Sequence, residues 1–263
     1  MKLSPKKSLG QNFLQDKKII NLIVENGNIT NRDLILEVGP GTGNLTEKLL
    51  EKIPQSLTVI EKDESLAKNL NIKFGNRINL INDDMMNISY DEFKHDNLII
   101  FGNLPYNIST QILAKWIKMK NLDKFCKKFI LMFQKEVADR IIAKTNTKNY
   151  GRLSILSNWK FEIEKIIDIE PICFYPPPKV TSTLLVFTPK KKIFEIKNPK
   201  NLEYVTNIFF SQRRKMIKKP LRILFRNFED VSKNLSLQLT VRPQNLDSLT
   251  YYKICEAYEK SIN

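Results

Sequence analysis

A chain of 263 residues, 42% hydrophobic and 27% charged, has the make-up of a globular protein and the length for one large domain or for an ordinary domain plus a small one. No apolar run approaches the roughly 18 residues of a membrane span, and the basic start "MKLSPKKSLGQNFLQDKK" lacks the apolar core of a secretory signal, so a cytoplasmic protein is expected. The formal net charge of +15 is uneven: residues 190–263 hold 16 Lys and Arg against 7 Asp and Glu, which points to a polyanionic partner, most simply nucleic acid.

The first two thirds alternate two kinds of segment. "DLILEV" (33–38), "LTVIEK" (57–62), "INLIND" (78–83), "NLIIFG" (97–102) and "KFILMF" (128–133) are rich in Ile, Leu and Val with little alternation. That is the pattern of parallel strands covered on both faces. Between them, residues 44–53, 64–74, 109–119 and 135–144 have helical spacing, with Asn44 and Ser109 as candidate N-caps. A β-α-β series of this kind predicts a doubly wound α/β domain. Two further strand-like runs, 161–169 and 182–189, flank the Pro-rich "PICFYPPPKV" and predict an antiparallel pair at the sheet edge. "PKKKIFEIKNPK" (189–200) reads as a linker, and the pattern after it is only helical.

Cys126, Cys173 and Cys255 are widely spaced, with no C-x-x-C pair, so neither a metal site nor a disulfide framework is expected. The one histidine, His95, sits in a polar stretch and is expected at the surface.

The first predicted strand ends in "LEVGPGTGNLT", where Gly39, Gly41 and Gly43 let the backbone turn tightly and approach a ligand. A dinucleotide fingerprint would be G-x-G-x-x-G; here the third glycine comes one residue early. The second strand ends at Glu61, placed to accept ribose hydroxyls. Asp84 follows the third strand, placed to accept from an adenine amino group. Glycine backbone, two acceptors and no P-loop lysine suit a nucleoside without phosphates, such as S-adenosylmethionine, better than NAD.

The fourth strand runs into "NLPY", Asn103 to Tyr106, on the same edge as the glycines. An adenine amino group is a poor nucleophile because its lone pair is delocalised into the ring. Acceptors at the Asn103 side-chain oxygen and the Leu104 carbonyl would favour a pyramidal nitrogen with a freer lone pair. Pro105 would fix that carbonyl, and Tyr106 would stack on the base.

In the C-terminal third, Arg213, Arg214, Lys215, Lys218, Lys219 and Arg222 lie in "SQRRKMIKKPLR". They exceed what solvating a helix face requires and are read as phosphate contacts. Phe209, Phe210, Met216 and Ile217 are expected to anchor that helix.

"SLGQNFL" (8–14), "LEVGPGTGNLT", "VIEKD", "GNLPYNIS", "FYPPPKVTS" and "FFSQRRKMIKKPL" together resemble, in order and nearly end to end, the ribosomal RNA adenine N6,N6-dimethyltransferases, most of all the branch acting on small-subunit (16S) rRNA. The resemblance implies a Rossmann-like methyltransferase domain with a mostly parallel seven-stranded sheet over residues 1–190, and a small all-helical rRNA-binding domain over 191–263. It implies S-adenosylmethionine contacts at Asn12, Leu14, Gly39, Gly41, Glu61, Asp84 and Asn103. Asn103, Leu104 and Tyr106 would hold the target adenine, with Phe174 as a second aromatic against it. The implied reaction is dimethylation of two adjacent adenosines near the 3′ end of the RNA, within a 30S assembly intermediate, by a monomer. Thr181 stands where the family often carries an acid.

Three other readings compete: an enzyme of the same family acting on large-subunit rRNA, a binding protein on a methyltransferase scaffold, and a DNA adenine methyltransferase. The basic helical tail and "GQNFL" favour the small-subunit enzyme over the first. The intact Glu61, Asp84 and Asn103 argue against the second.

Overall fold

The computed structural model describes residues 5–6, 10–89 and 97–262; His95 lies outside them. The chain forms two compact units. One runs to Ala138 and resumes over Glu162–Pro189; the other comprises Asp139–Phe161 and the chain from Lys190 onward.

The first unit opens with β1 (Phe13–Leu14) and α1 (Lys17–Gly27), whose first-turn N–H groups are capped by Asp16. There follow β2 (Leu34–Val38), α2 (Asn44–Leu50), β3 (Ser56–Ile60), α3 (Glu64–Phe74) and β4 (Asn79–Ile81). Next come β5 (Leu98–Asn103), α4 (Ser109–Ile117), α5 (Leu122–Phe125), β6 (Lys128–Gln134) and α6 (Lys135–Ile141), then β7 (Phe161–Ile169), β8 (Phe174–Tyr175) and β9 (Ser182–Pro189). The five apolar runs become β2 to β6, and each pairing among them is parallel. The seven-stranded order is β4-β3-β2-β5-β6-β9-β7.

The last two strands are not simply added at the edge in turn. β9 inserts beside β6, antiparallel to it, and leaves β7 outermost. Composition explains the choice. β9 is buried at every position but one, whereas β7 exposes Glu162, Glu164 and Lys165, the charges that protect a sheet edge.

Neither expected N-cap caps a helix by its side chain. Asn44 and Ser109 are first helical residues, behind Gly43 and Ile108 at the cap positions. The Asn44 amide instead donates to the Leu14 carbonyl at 2.8 Å, and the Ser109 hydroxyl to the Tyr106 carbonyl at 3.3 Å.

The second unit is helical: α7 (Arg152–Lys160), α8 (Pro199–Phe210), α9 (Lys218–Leu224), α10 (Phe228–Asn234) and α11 (Ser248–Ser261). Tyr251 packs against the rings of Phe209 and Phe210 at its centre. Residues 139–161, which the sequence places with the first domain, pack within this unit. Trp159 donates its indole N–H to the Phe194 carbonyl, and the Tyr252 hydroxyl donates to that of Ile155. The segment read as a linker is also tied down, because the buried Glu259 carboxylate accepts from the Lys197 and Asn198 N–H groups, both at 2.9 Å. α7 hides in the sequence because serines share its buried face with Ile155, Leu156 and Trp159, so no apolar stripe marks it.

Candidate active site

A cleft in the first unit lies beyond the carboxyl ends of the parallel strands, where open α/β sheets bind ligands. Residues 10–14, the turn after β2, Glu61, Asp84 and residues 103–108 line it.

After β2 the chain turns through Gly39, Gly41 and Gly43, all at positive φ. Gly41 has φ 58°, and a Cβ there would lie 2.8 Å from the Phe13 ring; a Cβ on Gly43, at φ 79°, would lie 2.6 Å from Phe74. Side chains are excluded both by conformation and by space. The bare Gly41 N–H donates to Glu61 Oε2 at 3.1 Å, and the Asp63 N–H to Oε1 at 2.9 Å. Both oxygens of Glu61 are thereby oriented, and each keeps accepting capacity for a ligand hydroxyl. Burial raises the Glu61 pKa, opposed by those N–H groups.

Asp84 is held differently. Its Oδ2 accepts from Lys62 Nζ at 2.8 Å and its Oδ1 from the Met86 N–H at 2.8 Å. The Lys62 hydrogen bond foremost keeps its pKa below the ordinary carboxylate range, so it stays an ionised acceptor. Lys115 pins the following loop by donating to the Met86 and Ile88 carbonyls, each at 2.8 Å. At the floor, Glu37 is 1% exposed, and among the described residues its Oε2 has no hydrogen-bond partner. Burial pushes its pKa up to about 8; the Thr46 hydroxyl lies near enough to oppose that rise, but among the described residues neither it nor Oε2 completes a hydrogen bond of good geometry.

β5 delivers "NLPY" to the opposite wall. Asn103 donates its amide Nδ2 to the Asn12 main-chain carbonyl at 2.9 Å, which leaves Oδ1 as the accepting end. Leu104 is buried. The Pro105 carbonyl accepts the Ile108 and Ser109 N–H groups and so starts α4. The Tyr106 hydroxyl hydrogen-bonds to the buried Ser182 at the head of β9, which fixes its ring. Asn12, Leu14, Gly39, Gly41, Glu61, Asp84, Asn103, Leu104 and Tyr106 thus share one cleft.

Phe174 is not brought to that cleft. β8 pairs antiparallel with β1, Leu14 opposite Phe174 and Phe13 opposite Tyr175. The two-residue period turns Phe174 into the core, 3% exposed, and Tyr175 outward, 54% exposed. Gln11, Asp63 and Ser182 are given no role by the sequence, although all three fall inside the quoted blocks. Their partners come from distant segments, so no local spacing marks them.

In the second unit the expected continuous helix through "SQRRKMIKKPLR" is broken. α8 ends at Phe210, residues 211–214 form a turn, and α9 begins at Lys218. Pro220 forbids a helix that continues through it, since it would lose a bond there and clash with the turn before it, whereas in the first turn of α9 its missing N–H costs nothing. Arg214, Lys215, Lys218, Lys219 and Arg222 are exposed. Arg213 is committed internally, donating to the Lys148 carbonyl at 2.8 Å and to Gln244 Oε1 at 3.1 Å. Ile217 is buried as expected of an anchor, but Met216 is 56% exposed.

The strand order, the glycine turn after the first parallel strand and the acids after the next two define a Rossmann-like methyltransferase. Residues 2–260 match the family described as ribosomal RNA adenine dimethylase. The chain is 51% identical over 259 residues, 98% of each chain, to the ribosomal RNA small subunit methyltransferase A of Pelagibacter ubique. A solved dimethyladenosine transferase from Plasmodium falciparum superposes with a TM-score of 0.78 at 26% identity, covering 94% of this chain and 98% of that one. A 23S rRNA methyltransferase, ErmE, has the same fold, with a TM-score of 0.70 at 23% identity over 94% of this chain and all of that one. The chain belongs to the ribosomal RNA adenine dimethylase family and is a methyltransferase. Among the described residues no helix is long and apolar enough to cross a membrane, and no cluster of His, Cys, Asp or Glu could hold a metal.

Proposed function

We propose that this chain dimethylates the N6 amino groups of two adjacent adenosines near the 3′ end of small-subunit rRNA, with S-adenosylmethionine as donor, on a 30S assembly intermediate in the cytoplasm, as a monomer. The observation that carries the reading is the meeting in one cleft of Glu61 and Asp84 with Asn103, Leu104 and Tyr106. The fold alone does not choose between ribosomal subunits, since a 23S enzyme shares it. The identity of 51% along nearly the whole chain to a small-subunit enzyme favours the small subunit.

The cleft residues fit the donor. Glu61 offers two oriented oxygens to the ribose diol, and ionised Asp84 offers an acceptor to the adenine amine. The Glu37 carboxyl at the floor, which keeps its proton up to about pH 8, offers both an O–H donor and an acceptor that a polar ligand group would satisfy. When bound, the donor supplies an electrophilic methyl on a sulfonium that departs as a neutral thioether. Asn103 Oδ1 and the Leu104 carbonyl hold the hydrogens of the target amine and turn its lone pair toward that methyl, while Tyr106 stacks on the base. Each transfer forms one N–C bond and releases one proton from the amine to water. No strong base is required, and positioning supplies most of the rate. The exposed Arg214, Lys215, Lys218, Lys219 and Arg222 bind RNA phosphates.

Primer extension on small-subunit rRNA from cells with and without the gene tests the reading. Twin stops at adjacent adenosines only when the gene is present are expected. Stops confined to large-subunit rRNA would overturn it.

A further inference from the structure

Asn103 sits in the reaction as an acceptor only if its amide faces the right way. Its Nδ2 end and Oδ1 end have nearly the same shape, and a flipped amide would present N–H groups to the N–H groups of the target amine. What sets the orientation is the 2.9 Å bond from Nδ2 to the Asn12 main-chain carbonyl, because a carbonyl can accept only from the NH2 end. The Asn12 side chain is turned elsewhere, to the Gly10 carbonyl at 3.2 Å.

The Asn12 carbonyl is itself held at both ends of a short strap, residues 10–14. At one end the Leu14 carbonyl accepts the Asn44 amide at 2.8 Å, and β1 pairs with β8. At the other, Gln11 Nε2 donates to Asp63 Oδ2 at 3.0 Å, and Gln11 Oε1 accepts the Lys6 N–H at 2.7 Å. The Lys6 ammonium adds an ion pair to Asp63 Oδ2 at 2.9 Å. Asp63 is 3% exposed and firmly seated: it caps α3, and its N–H is one of the two that orient Glu61. The side that orients the ribose acceptor is therefore joined to the side that orients Asn103.

We infer that Gln11 is a positioning residue for methyl transfer: its latch on Asp63 holds the strap so that the Asn12 carbonyl fixes the Asn103 amide with Oδ1 toward the target amine. This rests on the adenine-binding role proposed above for Asn103. A merely structural or cofactor-binding role for Gln11 makes different predictions. Gln11→Leu removes the latch at similar size, whereas Gln11→Lys keeps a donor to Asp63. Asp63 is unsuitable as the test position because its loss would also uncap α3.

Two measurements decide the matter. In cofactor-free full-length protein, the Asn103 side-chain amide resonances, assigned by their loss in Asn103→Ala, report the bond to Asn12 directly. They should exchange slowly with water in the parent and in Gln11→Lys, and at least tenfold faster in Gln11→Leu. Unchanged exchange in Gln11→Leu overturns the inference whatever the substrate proves to be. In single-turnover methylation of unmethylated 30S subunits at saturating S-adenosylmethionine, Gln11→Leu should lower the rate about tenfold and Gln11→Lys less than threefold. Gln11→Leu should cost nothing further in an Asn103→Ala background. A raised KM for the donor with an unchanged saturating rate would also overturn it. Absence of any transfer by the parent would instead sink the substrate assignment, with the exchange measurement still deciding on Gln11.

Discussion

In the cleft, Glu61, Asp84 and Asn103 each have a side-chain atom held by a main-chain partner: the Gly41 N–H, the Met86 N–H and the Asn12 carbonyl. In the second unit Arg214, Lys215, Lys218 and Lys219 stand exposed and make no ion pair with a described residue. On the roles proposed above, the contrast follows from what each set would recognise. A ribose, an adenine edge and a reacting amine demand acceptors at set positions, and fixing them beforehand lowers the cost of reaching the transition state. A phosphate backbone demands charge within reach, and long side chains in solvent supply it by releasing counterions. Arg213 shows the exception within the basic run: its guanidinium is used on the protein's own carbonyls.

The largest effect that would break this comparison belongs to Asn103→Ala. Losing the positioned acceptor should lower the single-turnover rate by about a hundredfold or more, with RNA affinity by filter binding unchanged. A loss below tenfold would mean that the Leu104 carbonyl and stacking suffice. Next comes Glu61→Ala. It removes two hydrogen bonds to a charged acceptor, each worth roughly 1.5–3 kcal/mol, so calorimetry should show donor affinity weakened by at least about tenfold. RNA affinity should hold; its collapse would show that the two sets of residues are not separable.

The basic segment offers the sharper discrimination. Lys218→Gln with Lys219→Gln should reduce the slope of log affinity against log salt by about 1 to 2, as expected for two lost phosphate contacts. Arg213→Gln should leave that slope unchanged and lower thermal stability instead, since the Lys148 carbonyl and Gln244 lose their donor at a cost of about 1–3 kcal/mol. The reverse pattern would return Arg213 to the phosphate-binding set.

How much of this was readable without coordinates depends on the range of the interaction. The five parallel strands announce themselves through local composition, and Glu61, Asp84 and Asn103 through their places at strand ends. Phe174 misleads because the β1–β8 pairing that turns it inward joins residues far apart in sequence. The helix expected through Arg213 fails although Pro220, in plain view in the sequence, already forbids a continuous helix through it and fits only the first turn of α9. The Gln11–Asp63 latch spans 52 positions, and no periodicity encodes such a contact.

Glu37 tests the contrast at its weakest point, as the one cleft acid whose Oε2 lacks a partner among the described residues. Burial raises its pKa from the ordinary 4.5 to about 8. Between those values the native state holds a proton that the unfolded chain has released. The stability tied to that proton is full below the unfolded value and is lost as pH rises through the folded one. Gln cannot titrate, so cofactor-free Glu37→Gln should gain in Tm over the parent progressively from pH 5 to pH 8, by a few degrees in all, and hold that margin above. A Tm difference that does not vary with pH would mean that Glu37 is ionised in the free protein. Its charge would then have to be balanced by a group in the cleft, and Glu37 would join Glu61 and Asp84 as a held acceptor.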